Sequence, residues 1–336
     1  MKRTSVVAMA ASLALATPAL ADKLEDVQAR GVLKCGIHPG KAGFATPDVD
    51  GQWKGFDVDY CKALAAAALG DASKVEYTTV SSKNRLTALV ADEIDVLSRT
   101  TTFTATRDGR NGVDVTAPMF YDGQGFLVKK SLGATSVKEL DGATICTYPG
   151  TTSERNVNDY FEANGMSYKA LIVDGMPEAK AAYLSDRCDA ITNDRSALAA
   201  NRLSMPKPED HVLMTEVISK EPLGPYVKSG ENRWREVAAW TVMALVAAEE
   251  MGITQANADA MAKEGGPTVK RLLGAEGAIG NGFGLKNDWV LKAVEAVGNY
   301  GEIFERHLGK DTPMNLRRGL NAQYRDGGLL YAYPFR

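Results

Sequence analysis

The sequence predicts an α/β protein made of two similar lobes, each a mostly parallel sheet covered by helices. Strand-like and helix-like segments alternate in the first third of the chain, and the same alternation restarts near residue 142. A D-x-x-D pattern followed by a small apolar run recurs 94 residues apart, in VADEIDVL (90–97) and LSDRCDAI (184–191). Its place at the same point of both series indicates two related lobes.

The first series follows a β-α-β-α-β order. Its clearest helix is FDVDYCKALAAAAL, whose apolar residues recur at helical spacing after acidic residues in the first turn. The predicted elements are a strand over 32–40, a hairpin-like loop over 50–55, a helix over 56–69, a strand over 75–80, a helix over 84–92 and a strand over 94–98.

The second series has the same order. Thr151 and Glu154 predict a capping box at the start of its first helix, and Gly165 predicts the end of that helix. The predicted elements are a strand over 142–150, a helix over 151–165, a strand over 168–173, a helix over 177–186 and a strand over 188–192.

The last third of the chain is mainly helical, with strong helical periodicity over 231–252 and again over 289–309. The glycine-rich stretch between them (274–284) matches neither GxxxxGK[ST] nor a strand-GxGxxG-helix unit. We therefore expect a connecting loop there rather than a nucleotide site.

The first 21 residues predict a signal peptide that is cleaved after Ala21, and therefore an exported protein. Lys2 and Arg3 precede a short apolar run (6–16), and Ala19-Leu20-Ala21 has the small-x-small form of a cleavage site. The alternative is an uncleaved membrane anchor, for which the run is too short. About 315 residues remain, which is enough for two domains.

Composition excludes some classes of function. Loss of Lys2 and Arg3 takes the formal net charge from −3 to −5, which argues against nucleic-acid binding. The three histidines are far apart and no CxxC pair occurs, so we expect no metal and no cofactor. No nucleophile motif such as G-x-S-x-G occurs, so no catalytic residue is assigned.

The four cysteines are Cys35, Cys61, Cys146 and Cys188, and four cysteines allow three pairings in an oxidising compartment. Two lie in the first third of the chain and two near its middle. One disulfide in each lobe is the simplest arrangement.

Three polar segments follow predicted strands. LSRTTTFTATRDGR (97–110) contains five threonines and three arginines, and YPGTTSER (148–155) and TNDRS (192–196) follow strands of the second series. In open α/β sheets, ligands bind beyond the carboxyl ends of the strands. The three segments therefore predict a ligand site between the lobes.

Their chemistry fits a free α-amino acid. Arg107 can hold a carboxylate through two hydrogen bonds, and the hydroxyls of Thr100 and Thr102 can either share that role or accept from an ammonium group. The Gly150-Thr151-Thr152 turn begins a helix, where backbone N–H groups favour an anion. Asp194 supplies the negative charge that an ammonium group needs.

Each of these residues also has a purely structural interpretation. Arg107 can form a surface ion pair with Asp108, which would contribute little. Thr151 and Thr152 can simply cap a helix, Asp194 can cap the next one, and Arg85 can be a solvated helix residue. Spacing alone leaves these alternatives open.

Longer stretches make the interpretation specific, because they cover nearly the whole chain after residue 21. They are GFDVDYCKALAAA, SSKNRLTALVADEIDVLSRTTTFTATRD, YDGQGFLVKK, YPGTTSE, RCDAITND and LLGAEGAIGNGFGLKNDW. In these stretches the sequence resembles extracytoplasmic solute-binding proteins of bacterial ABC importers for polar amino acids, in particular the general L-amino-acid-binding proteins.

The resemblance implies roles for single residues. The arginine of T-x-T-x-x-x-x-R, here Arg107, would hold the α-carboxylate, and Asp194 would receive the α-ammonium. S-x-N-R occurs in relatives that bind acidic amino acids, which implies that Arg85 meets a side-chain carboxylate. The implied ligand-binding residues are Ser82, Arg85, Thr100, Thr101, Thr102, Arg107, Thr151, Thr152 and Asp194.

One position departs from the pattern. Many relatives carry an aromatic residue over the ligand in the first βα loop, where HPGKAGF places Lys41. Either Phe44 covers the ligand instead, or the pocket is more polar there.

The resemblance further implies a type II periplasmic binding-protein fold, with two Rossmann-like lobes, a hinge and a helical C-terminal extension on the first lobe. Residues 22–127 and 224–336 would form the first lobe and 128–223 the second, with crossings near 125–130 and 219–227. The disulfides would be Cys35–Cys61 and Cys146–Cys188.

The implied function is binding of free L-amino acids, with glutamate, glutamine, aspartate and asparagine expected. A monomer would close on its ligand and deliver it to the membrane permease subunits of an ABC importer. The alternative is a periplasmic lyase or dehydratase on the same fold, which would need an acid or base such as Asp194 or His38.

Overall fold

A computed structural model describes residues 22–336, and the predicted signal peptide lies outside these residues. The strands are β1 Leu33–Ile37, β2 Thr46–Pro47, β3 Trp53–Lys54, β4 Val75–Thr79, β5 Val96–Thr102, β6 Val113–Val115, β7 Phe120–Asp122, β8 Gln124–Lys129, β9 Thr144–Thr147, β10 Lys169–Ile172, β11 Ala190–Asp194, β12 His211–Leu213 and β13 Glu221–Lys228.

The helices are α1 Lys23–Arg30, α2 Phe56–Leu69, α3 Arg85–Val90, α4 Ala105–Arg110, α5 Thr152–Ala163, α6 Met176–Leu184, α7 Arg195–Leu203, α8 Asn232–Glu250, α9 Ala258–Glu264, α10 Pro267–Leu272, α11 Ile279–Gly282, α12 Trp289–Val297 and α13 Tyr300–His307. None of the helices in this part of the chain is long and apolar enough to cross a membrane.

The first lobe is built on a sheet of order β4-β1-β5-β13-β6, in which β7 also pairs with β13. β1 runs parallel to β4 and β5, whereas β13 is antiparallel to its neighbours. The predicted β-α-β-α-β order is therefore present, and the carboxyl ends of β1, β4 and β5 lie at one edge.

The second lobe is built on a sheet of order β10-β9-β11-β8-β12. β9 runs parallel to β10 and β11, and β8 is antiparallel to β11 and β12. The carboxyl ends of β9 and β11 again lie together. The type II periplasmic binding-protein fold with two lobes is thus confirmed.

The strand pairing shows where the chain passes between the two sheets. β7 pairs within the first sheet up to Asp122, and β8 pairs within the second sheet from Gln124. On the return, β12 ends at Leu213 and β13 joins the first sheet from Glu221. The chain therefore leaves the first sheet at residue 123 and returns to it over 214–220, near the predicted crossings at 125–130 and 219–227.

The C-terminal extension packs on the first lobe. Trp234 and Trp289 from the last third share one buried cluster with Phe56 of α2, and Trp234 donates its Nε1–H to the carbonyl oxygen of Asp95 at 2.8 Å. The helical periodicity over 289–309 corresponds to two helices, because Gly298, with φ 81°, separates α12 from α13. Asn299 then begins α13 through a capping box with Glu302.

Both expected disulfides are present. Cys35 of β1 is bonded to Cys61 of α2, and Cys146 of β9 is bonded to Cys188, which lies just before β11. Each bridge joins elements within one lobe.

Candidate functional site

The candidate site is a cleft between the carboxyl ends of the two sheets. Its inner cavity, of about 50 Å³, is lined by polar and charged side chains from both lobes. Of the predicted ligand residues, those that line it are Ser82, Arg85, Thr100, Thr102, Thr151, Thr152 and Asp194. Lining residues that sequence reasoning did not select include His38, Lys41, Arg99, Tyr148 and Asn193.

Arg85 is the first residue of α3 and is 4% exposed, so it is not the solvated helix residue of the structural alternative. Its Nε has no hydrogen-bond partner within residues 22–336. Burial, together with the nearby cations of Arg99 and Arg107, lowers the pKa of Arg85 well below its usual value. A buried guanidinium without an acceptor is costly, and a bound carboxylate would remove that cost.

Arg99 is a second buried arginine of the cavity. It lies within β5, which continues to Thr102, four residues beyond the predicted strand end at residue 98. Its Nε–H donates to the carbonyl oxygen of Val80 at 2.7 Å and its Nη2 donates to Ser82 Oγ at 3.2 Å. Burial lowers the pKa of Arg99 to about 10, which leaves it charged at neutral pH.

Arg107 lies behind the cavity wall. Its Nη1 donates to the carbonyl oxygen of Thr102 at 2.7 Å, and its Nη2 lies 3.5 Å from the carbonyl oxygen of Gly150 in the second lobe. The residue is 8% exposed, so it is not part of a surface pair, and Asp108 instead accepts a hydrogen bond from the backbone N–H of Val115. Arg107 therefore connects the two lobes and is not among the residues that line the cavity.

The three consecutive threonines have different environments. Thr100 lines the cavity with φ 39°, an uncommon backbone conformation for a β-branched residue. The Thr101 hydroxyl is fully buried and donates to the carbonyl oxygen of Arg99, so it does not line the cavity. Thr102 lines the cavity, and its hydroxyl donates to Glu221 Oε2.

The Gly150-Thr151-Thr152 turn caps a helix and also borders the cavity. Thr151 accepts a hydrogen bond from the backbone N–H of Glu154, as a helix cap does, and also lines the cavity. The capping box is incomplete, because the Glu154 carboxylate accepts from Gly150 rather than from Thr151. Gly150 has φ 74°, which the turn requires and which glycine adopts without strain.

Glu221 is buried at the start of β13 and was not selected from the sequence. Its carboxylate accepts hydrogen bonds from hydroxyl and amide groups of both lobes and of the segment between them. The donors are Thr102 Oγ1 at 2.5 Å, Thr152 Oγ1 at 2.9 Å, Asn156 Nδ2 at 2.7 Å and Ser219 Oγ at 2.5 Å.

Asp194 lies at the N-cap position of α7, yet its side chain makes no capping hydrogen bond. It is 7% exposed and faces the cavity. Burial and, after it, the Asp122 carboxylate raise the pKa of Asp194 to about 7, and Lys41 acts in the opposite direction. An ammonium group in the cavity would stabilise the ionised carboxylate.

The sequence left open whether Phe44 covers the ligand or the pocket is more polar at Lys41, and the structure has Lys41 at the cavity. Phe44 is fully buried and packs edge-on against Phe56 and Phe120, so it does not cover the cavity. The Lys41 side chain lines the cavity, with Nζ 4.2 Å from the centre of the Phe44 ring and 3.4 Å from Ser196 Oγ of the second lobe. Burial lowers the pKa of Lys41, and the carboxylates of Asp194 and Asp122 oppose that shift.

His38 also lines the cavity. It accepts a hydrogen bond from the backbone N–H of Gly40 through Nδ1, and burial together with three nearby cations lowers its pKa well below the usual value. At neutral pH it is an uncharged imidazole. Within residues 22–336, no group of three His, Cys, Asp or Glu side chains is arranged to hold a metal ion.

The cleft thus combines three lining cations, Lys41, Arg85 and Arg99, with the carboxylate of Asp194. Such a site suits a ligand that carries an ammonium group and more than one anionic or polar oxygen group.

Two lobes that enclose a charged cleft define a solute-binding protein. The chain belongs to the bacterial extracellular solute-binding proteins, family 3, which match residues 33–310. It is 48% identical over 334 residues to the general L-amino acid-binding periplasmic protein AapJ of Rhizobium johnstonii, covering 99% of this chain and 96% of that one.

Two further relatives agree with this assignment. The glutamate/glutamine/aspartate/asparagine-binding protein BztA of Rhodobacter capsulatus is 50% identical over 331 residues, covering 98% of this chain and 97% of that one. A solved structure, an ABC transporter/periplasmic binding protein from Brucella ovis with glutathione bound, has a TM-score of 0.91 and 50% identity, and the match covers 94% of this chain and all of that one. The chain is a binding protein rather than a lyase or dehydratase.

Proposed function

We propose that the protein binds free L-amino acids with acidic or amide side chains, namely glutamate, glutamine, aspartate and asparagine, with some breadth. The observation that carries the proposal is the buried Arg85, whose Nε lacks a partner among the described residues while the side chain faces the cavity. The names of the AapJ and BztA proteins, which bind L-amino acids and these four amino acids respectively, support it.

In the proposed complex, Asp194 receives the α-ammonium group. The α-carboxylate lies at Arg107 and the backbone N–H groups of the Gly150-Thr151-Thr152 turn, where it replaces the long contact from Arg107 Nη2 to the carbonyl oxygen of Gly150. The side-chain carboxylate or amide of the ligand then meets Arg85 and Ser82. This arrangement neutralises buried charges that are otherwise uncompensated.

The lobes, with bounds near 22–122 plus 221–336 and 124–213, close on the ligand because it contacts both sides only in the closed state. The mature protein, processed after Ala21, acts as a periplasmic monomer. It delivers its ligand to the membrane permease subunits of an ABC importer.

The test is ligand binding by the mature chain after unfolding and refolding, which removes carried-over ligand. Thermal shifts with the twenty L-amino acids should be large for the four named ligands, since a ligand at a thousand times Kd stabilises by about 4 kcal/mol. Titration calorimetry then ranks the ligands. No shift with any amino acid would refute the proposal.

A second candidate ligand is a γ-glutamyl peptide, as in the Brucella ovis structure with glutathione bound. An outer cavity of about 450 Å³ adjoins the inner one and shares His38, Lys41 and Tyr148 with it. Its other walls include Pro39 and Met176, which would contact a residue linked to the ligand's side chain.

Titration with glutathione beside glutamate tests this candidate. If the peptide extends into the outer cavity, Met176→Asp should lower the affinity for glutathione and leave the affinity for glutamate unchanged. Equal glutathione affinities of Met176→Asp and the unmodified protein would exclude the outer cavity as the peptide's binding site.

A further inference from the structure

Glu221 is distinctive because it is a buried carboxylate that is hydrogen-bonded only by neutral donors in the described chain. It is 2% exposed, and its four side-chain donors are threonine, serine and asparagine groups. Two of them, Thr102 and Thr152, come from opposite lobes and line the cavity. The carboxylate therefore organises two residues of the ligand site without touching the cavity itself.

The hydrogens of these two hydroxyls have defined directions. A threonine hydroxyl has one hydrogen to donate and two lone pairs, and an ionised carboxylate can only accept. Thr102 Oγ1 and Thr152 Oγ1 both donate to the same oxygen of Glu221, Oε2, at 2.5 Å and 2.9 Å. Because both hydrogens are used in this way, the two hydroxyls can only accept hydrogen bonds from a ligand in the cavity.

The two hydroxyl oxygens are also close together, 3.4 Å apart, and belong to different lobes. A ligand group that meets both must donate hydrogen bonds, because neither hydroxyl has a hydrogen left for it. The α-ammonium group is the donor that every free amino acid carries, with three N–H bonds to share.

We propose that Glu221 is a positioning residue that turns Thr102 and Thr152 into a pair of acceptors and so makes the cleft select ligands with a free ammonium group. The proposal rests on the proposed amino-acid function. Asn156 and Ser219 hold the other carboxylate oxygen, Oε1, which fixes the orientation of the carboxylate.

Glu221→Gln provides a direct test. The amide keeps the shape of the carboxylate but replaces one acceptor oxygen with a donating NH2 group. When that group takes the position of Oε2, the hydroxyls of Thr102 and Thr152 lose their acceptor and must turn to donate into the cavity. The affected quantity is the ratio of affinities for L-glutamate and glutarate, which has both carboxylates but no ammonium group. Glutarate affinity is measured by competition against labelled glutamate.

We expect Glu221→Gln to lower the glutamate-to-glutarate ratio about tenfold or more, since a hydrogen bond to a charged group is worth about 1.5–3 kcal/mol. Thr152→Val, which removes one acceptor and keeps the residue volume, should lower the ratio in the same direction. It serves as the second variant if Glu221→Gln does not fold.

The matched control is Thr116→Val. The Thr116 hydroxyl donates to the carbonyl oxygen of Pro225 at 2.7 Å, on the same strand as Glu221, and does not line the cavity. Its ratio should equal that of the unmodified protein.

An equal loss of glutamate and glutarate affinity in Glu221→Gln and Thr152→Val would overturn the positioning role and leave amino-acid binding intact. A protein that binds glutamate no better than glutarate before any substitution would also overturn it. Failure of the unmodified protein to bind any amino acid would instead refute the proposed function.

Discussion

Arg107 donates from Nη1 to the carbonyl oxygen of Thr102, 2.7 Å away, so the arginine supports the wall of the cavity from behind. Arg85, in contrast, lines the cavity and has an unpaired Nε in the described chain. Either arginine could therefore bind the α-carboxylate of the ligand, and substitution of each in turn distinguishes the two possibilities.

Arg107→Ala should weaken binding of every amino acid by about a hundredfold or more, because the α-carboxylate is common to all of them and a buried charge would lose its partner. Calorimetry with glutamate and glutamine measures the loss. Arg110→Ala is the control, since Arg110 is exposed in the last turn of the same helix, α4. If Arg85→Ala abolished binding of every amino acid and Arg107→Ala changed the affinities little, Arg85 would be the residue that binds the α-carboxylate.

Arg85→Gln should weaken glutamate more than glutamine, by about tenfold in their ratio, because only glutamate presents a charge to the guanidinium. Competition binding with the two ligands measures that ratio directly. Lys83→Ala, two residues away and exposed, is the matched control. A uniform loss across both ligands would contradict a role for Arg85 toward the ligand's side chain.

Affinity for glutamate should fall as the pH drops below about 7. Burial, followed by the Asp122 carboxylate, raises the pKa of Asp194 to about 7, and an ammonium group needs the ionised form. Below that pH, binding must expel a proton, so affinity decreases by up to about tenfold per pH unit; above it, affinity is level.

Calorimetry between about pH 5.5 and pH 8 checks this slope, in buffers whose ionisation heats differ so that proton release is counted. Asp194→Asn should bind weakly and show no slope in this window. Burial also raises the pKa of Asp57 to about 7. Asp57→Asn should keep the slope, and a flat profile in that variant would assign the titration to Asp57.

Lys41→Met should raise the affinity for arginine and lysine relative to glutamate by several-fold or more, since it removes one of three cations that line the cavity while keeping an apolar stem over Phe44. Lys41→Arg is the control and should keep the original preference. Unchanged ratios of arginine or lysine affinity to glutamate affinity in Lys41→Met would mean that the Lys41 charge stabilises the carboxylates of Asp122 and Asp194 and does not act on the ligand.

The periodic elements of the fold could be predicted from the sequence, because local spacing determines them. The helix predicted over 56–69 has the bounds of α2, Phe56–Leu69. The length of β5 could not be predicted, since its last residues, Thr101 and Thr102, pair with Gly224 and Leu223 far along the chain. The same long-range pairing places Arg99 within β5, whereas from the sequence it was treated as part of the segment after the strand and was not selected as a site residue.

Residues of the candidate site were predictable where a motif marks them, as at Arg85, Thr102 and Asp194. Glu221 lies in no motif of that kind, and only the tertiary structure brings its four donors together. The break between α12 and α13 had a local signal, Gly298 followed by Asn299 and Glu302, which the continuing apolar periodicity concealed.

The position of β13 has a consequence for the order in which the chain folds. This strand lies between β5 and β6, in the interior of the first sheet, yet it follows every strand of the second sheet in sequence. A chain that emerges from its N-terminus therefore presents all of the second sheet before the first sheet can be completed. The inserted lobe has its own buried clusters and can fold first, while the early strands of the first lobe remain incomplete until residue 228 has emerged.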